Sequence, residues 1–154
     1  MQPNKRLQTI KIIHLSLLAG PLAFAIFAYL KKHSFNAVMD VHSIFTYVVP
    51  IIAAFGYFMG IFLFQRQIRS IKKENSLQSK LSAYQTALLI KYALLEGPVF
   101  LALVAYWLSG NALHLVIAIS LLLYLYAQRP TKDQLFKALP LNLEERKSFD
   151  TFRT

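Results

Sequence analysis

Long apolar runs separated by short polar connections set the plan of this chain. Ile10 to Leu30 is apolar apart from Lys11, His14 and Ser16, and at 1.5 Å per residue it reaches roughly 30 Å, the thickness of a bilayer core. Further runs cover Ser43 to Phe64, about Tyr84 to Leu108, and Ala112 to Ala127, the shortest. The pattern predicts four transmembrane helices at about 10–31, 43–64, 84–108 and 112–128, an all-α integral membrane four-helix bundle in one domain covering 1–154. The first run is long enough to span and has no short apolar core ending at a small-x-small cleavage site, so it reads as a retained helix rather than a signal peptide. Helix two is expected to continue past the membrane surface to a turn near Asn75, and Ser109-Gly110-Asn111 is a tight turn. In the polar tail, 129–154, Thr131 with Gln134 and Asn142 with Glu145 are helix-start signatures. Leu135, Phe136 and Leu139 share one side of the first of these short helices, which would lie on the membrane surface or cover the inner end of the bundle.

The chain also repeats itself. A shift of 77 places Leu17-Leu18-Ala19-Gly20-Pro21 on Leu94-Leu95-Glu96-Gly97-Pro98, and Ala25, Ala28 and Tyr29 on Ala102, Ala105 and Tyr106. This reads as a duplicated helical hairpin, about 10–64 and 84–128. Each unit has an even number of spans, so the two hairpins form a parallel repeat about an axis along the membrane normal, with span one facing span three. Pro21 and Pro98 have no N–H, which leaves the carbonyls of Leu17 and Leu94 without their usual partners and predicts kinks. Two opposed kinks would leave a polar pocket at mid-depth; alternatively, Gly20-Pro21 and Gly97-Pro98 serve close packing alone. Gly56 and Gly60 lie on one helix face, where another helix can approach.

Composition strengthens the membrane reading. The chain is 56% hydrophobic and 14% aromatic, above an ordinary soluble domain. Its +10 net charge comes from Lys and Arg that flank the apolar runs, which points to anionic lipid headgroups rather than nucleic acid. The absence of Cys excludes disulfides, thiolate metal sites and Cys nucleophiles. Lys5, Arg6 and Lys11, then Arg66, Arg69, Lys72, Lys73 and Lys80, then six basic residues of the tail stand on one side, against Lys31 and Lys32 on the other. The positive-inside rule therefore predicts an inner-membrane protein with both termini in the cytoplasm. Trp107, Tyr29 and Tyr106 are expected at the outer interface, and Lys91 is expected to snorkel to the inner one.

Glu96 is the candidate functional residue, because a carboxyl at the centre of a span is costly and by default marks function. It either carries a proton or small cation, or is a neutral structural group bonded to a neighbour or to the freed carbonyls. With no cation near, desolvation favours the protonated form. Tyr57 and Ser120 lie at similar depth and are its candidate hydrogen-bond partners. His33, Asp40, His42 and His114 are all external but form no compact metal motif, so no metal or other cofactor is expected. No Ser-His-Asp order, phosphate loop or paired carboxylate is present, so the chain reads as a non-enzyme. Two functions remain: translocation of protons or small cations through Glu96, or a non-transporting structural or assembly role. Four helices enclose little room for a solute, which favours a homo-oligomer or a complex with other membrane subunits, with Gly56 and Gly60 as one contact face; alternatively, that face binds span one or three within the monomer.

The segment Ala93-Leu94-Leu95-Glu96-Gly97-Pro98 and its continuation to Tyr106 resembles small four-span bacterial membrane proteins, some labelled transporter-like. The resemblance covers most of the chain and implies no particular activity. A duplicated hairpin with one carboxylate is also similar to the proteolipid, or c-type, subunit of rotary ATPases, which would make Glu96 an ion carrier in a ring. Two features depart from that pattern: the chain has only five Gly, and its carboxylate is on the first helix of the hairpin rather than the second.

Overall fold

A computed structural model describes residues 3–38 and 40–149, and all of their regular elements are helical. The helices are α1 (Pro3–Lys32), α2 (Phe45–Arg69), α3 (Leu77–Ser109), α4 (Ala112–Ala127), α5 (Lys132–Ala138) and α6 (Leu143–Lys147). Each expected span falls on a helix. α1 begins about two turns before its apolar run and α3 about two turns before its own, because polar residues continue both helices beyond bilayer depth. α1, α2 and α3 are each long and apolar enough to cross a membrane. α4 has 16 residues, roughly 24 Å, and qualifies only together with α5, from which it is bent by 82°.

The helix ends follow local chemistry. Ser76 caps α3 by accepting from the Ser79 N–H, and Gly110 ends it in the left-handed conformation, φ 70°, which glycine adopts without strain. Asn111 then caps α4 through the Leu113 N–H. Thr131 caps α5, and Asn142 with Glu145 forms a reciprocal capping box on α6, as the two signatures predict.

α3 is the central helix: α1, α2 and α4 all pack against it, whereas α1 and α2 scarcely touch. The two proposed repeats are therefore unequal in packing, since α3 and α4 form a hairpin while α1 and α2 lie apart on the central helix. The tail covers one end of the bundle, which is called the inner end after the orientation expected from the charges, the other being the outer end. Leu135, Leu139 and Phe149 are buried there, in one core with Leu7, Ile10, Ile71, Leu81 and Tyr84. Lys80, 1% exposed, donates to both Glu145 carboxylate oxygens at 2.9 and 3.0 Å and to the Pro140 carbonyl. At the opposite end the two outer connections are joined. The Asn36 N–H donates to the Gly110 carbonyl, the Ala112 N–H to the Asn36 carbonyl, and Lys32 Nζ to the Leu108 carbonyl.

Two expected interfacial residues are placed differently. Tyr106 is fully buried, its hydroxyl donating to the Ser34 carbonyl, while Tyr29 and Trp107 are exposed. Lys91 does not snorkel. It is buried, donates to Gln128 Oε1 at 2.6 Å and lies 5.1 Å from the centre of the Phe64 ring, so a neighbouring amide and an aromatic face replace water around it.

Candidate functional site

Glu96 sits at the margin of the buried face of α3, half-buried, next to Leu95, which is 1% exposed. Phe100, one turn further on, shows what that margin faces: its ring lies 6.0 Å from that of Phe24 on α1, and its Cζ lies 3.9 Å from where a Gly20 side chain would begin. Glu96 is thus on the α1 side of α3. Among the described residues it forms no hydrogen bond or ion pair.

The two expected partners are elsewhere. Tyr57 is on α2 and packs its ring 4.9 Å from that of Tyr124 on α4. Ser120 is exposed and donates to the Val116 carbonyl of its own helix. They share depth with Glu96 but not direction, so the expected constellation is not assembled.

The glycines divide into two kinds. Gly97 has open space where a side chain would be, and Gly20 meets only Phe100 at 3.9 Å, so neither is required for close packing. Gly56 is the opposite case. A Cβ there would overlap the Leu94 carbonyl oxygen and lie 2.7 Å from Pro98 Cγ, while one at Gly60 would lie 3.4 Å from the Lys91 oxygen. The Gly56–Gly60 face is therefore occupied by α3 of the same chain and is not available for the contact with another copy that its spacing suggested. Pro98 explains the site of closest approach. It lacks the N–H that would bond the Leu94 carbonyl, and the bare Gly56 backbone of α2 is turned to that oxygen, an arrangement suited to a weak Cα–H···O contact. Pro98 and Pro21 are both buried, and α1 and α3 run as single helices through them.

Two polar groups lie inside the bundle, one near each end. At the inner end, the Tyr92 hydroxyl donates to the Gln128 carbonyl, Lys91 to the Gln128 side chain, and His14 Nε2 to the Leu125 carbonyl at 2.8 Å, with the His14 and Tyr92 rings 4.8 Å apart. The carbonyl can only accept, so the proton of this contact is on Nε2. Gln128 was not singled out from the sequence, although Lys91 and His14 at matching depth were a signal that the inner end holds polar groups. At the outer end, Tyr106 and Asn111 bond the Ser34 and Val38 carbonyls. His114 is fully buried there beside Phe45, with no hydrogen-bond partner among the described residues for either ring nitrogen. His33, Asp40 and His42 are exposed, and among the described residues no three His, Asp or Glu converge as metal ligands.

Between these two groups lies a packed apolar layer. Leu95, Val99, Ala102, Leu103, Ala28 and Ala118 are all apolar and at most 1% exposed. No protein-family model matches the chain, and neither a curated protein nor a solved structure shows significant similarity to it.

Proposed function

We propose that the chain is a multi-pass membrane protein that acts as a structural or assembly subunit, meeting another membrane protein along the α1–α3 margin that carries Glu96. The observation behind this reading is that Glu96 is half-buried at the mid-length of the central helix with no hydrogen-bond or ion-pair partner among the described residues. A charged carboxylate at bilayer centre costs about 3 kcal/mol, whereas one interhelical hydrogen bond contributes about 1 kcal/mol. A protonated Glu96 bonded to a neighbouring subunit satisfies both figures. The packed layer from Leu95 to Ala118 favours this role over conduction through the monomer.

Proton or small-cation transfer at Glu96 is the second reading. It is favoured by the same missing partner, because a group at a subunit boundary can exchange protons along that boundary rather than through the bundle. One pair of variants separates the two. In the assembly role Glu96→Gln keeps the shape and hydrogen-bonding capacity and is tolerated, while Glu96→Leu weakens co-purification with the partner by about 1 kcal/mol. In the transfer role Glu96→Gln abolishes flux. Purified protein in vesicles loaded with a pH-sensitive dye gives the deciding measurement: flux above empty vesicles that Glu96→Gln removes would overturn the assembly reading.

A further inference from the structure

α1 and α4 touch, with His14 bonded to the Leu125 carbonyl, but do not close along their whole length. They leave a groove of about 520 Å³ lined only by apolar atoms, running from Leu18 and Tyr126 at its inner end to Leu30 and Leu115 at its outer end. Six residues of α1, spread from Leu18 to Leu30 over roughly 18 Å, border it, close to the depth of one bilayer leaflet. Its inner end opens into a second recess of about 500 Å³, which shares Leu18 and Tyr126 with it and is bordered by Lys11, His14, Arg129 and Thr131. No carboxylate lines this recess. Lys11 and Arg129 are exposed, and neither side chain makes an ion pair or hydrogen bond to any described residue. His14 Nε2 is engaged by the Leu125 carbonyl. Thr131 Oγ1 accepts the Gln134 N–H, which leaves its own O–H free to donate.

We propose that the groove and its basic mouth together bind one anionic phospholipid, with the phosphate between Lys11 and Arg129, the Thr131 hydroxyl as a further donor, and an acyl chain along the α1–α4 groove. This inference rests on the membrane reading above but not on the role of Glu96. The continuity of the two cavities supplies the reason for a single amphiphile: one is wholly apolar, the other cationic, and they meet at Leu18 and Tyr126. A second copy of this chain is the less suitable occupant. It would bring the inner-end basic residues of a +10 chain against two cations that already lack counter-charges.

The test is native mass spectrometry of the detergent-purified chain with phosphatidylglycerol and phosphatidylcholine of matched acyl chains. The wild type retains phosphatidylglycerol preferentially. Each surface cation contributes roughly fivefold, so Lys11→Gln with Arg129→Gln lowers that preference by roughly 25-fold. Lys72→Gln with Lys73→Gln removes the same charge elsewhere and leaves the preference unchanged. Leu22→Trp, which fills the groove, lowers retention of both lipids. Equal retention of the two lipids by the wild type, an equal loss in the Lys72/Lys73 control, or undiminished retention in Leu22→Trp each overturns the site while leaving membrane embedding intact. Recovery of the chain in the aqueous fraction without detergent would overturn the embedding itself, and the lipid site with it.

Discussion

Gly56 and Gly97 make opposite demands on their neighbours, and a single methyl group measures the difference. Gly56→Ala forces a Cβ against the Leu94 carbonyl and Pro98 Cγ, so α2 must move away from α3. The expected cost is about 1–3 kcal/mol, or more if the backbone cannot adjust. Gly97→Ala meets nothing and is neutral to slightly stabilising through helix propensity. Denaturant unfolding in detergent compares the two; equal midpoints would refute the close approach at Gly56. The glycine spacing made a packing face legible in the sequence but could not name its partner, since a small-residue stripe suits any helix. Tyr57 and Ser120 were chosen on depth alone. Depth is a one-dimensional coordinate, and the direction each side chain takes around its helix depends on which helices are neighbours.

Among the elements, the tail is tied to the bundle by one buried ion pair. Lys80 on α3 is 1% exposed and its partner Glu145 13%, so Glu145→Ala strands a cation among Leu81, Tyr84 and Leu139 and costs about 3 kcal/mol. Limited proteolysis should then cut within residues 129–149, and Lys80→Met combined with Glu145→Leu should restore much of the protection. Cleavage of Glu145→Ala no faster than wild type would show that apolar docking alone holds the tail. The two short tail helices were legible because a cap is encoded within four residues, and Thr131 and Asn142 have their expected contacts. The Lys80 pair was not legible, because its members are 65 residues apart.

For the molecule as a whole, orientation is the property most directly open to test. Phe35 and Ser70 are both exposed, at opposite ends of the bundle, and Asn111, though in the outer turn, is buried and unsuitable as a probe. An impermeant thiol reagent added outside intact cells should label Phe35→Cys and spare Ser70→Cys; the reverse pattern would overturn the positive-inside assignment. Positions matched by the 77-residue shift agree in burial in some pairs and differ in others. Pro21 and Pro98, Ala25 and Ala102, and Ala28 and Ala105 are buried in pairs, and Gly20 and Gly97 are both exposed. Tyr29 is exposed where Tyr106 is buried, because the longer first connection bends over the second and supplies the Ser34 carbonyl to Tyr106 alone. At the inner end, Asn4 bonds the Phe149 carbonyl, so the beginning of the described chain is held by its end. This has a consequence in time. The segment that closes this end of the bundle is made after all the helices it covers, so those helices must find α3 while Lys80 and Tyr84 still face water. Until residue 149 has been made, the newborn protein is an open vessel, and a quality-control protease that samples it early would find the ends of α1 and α3 within reach.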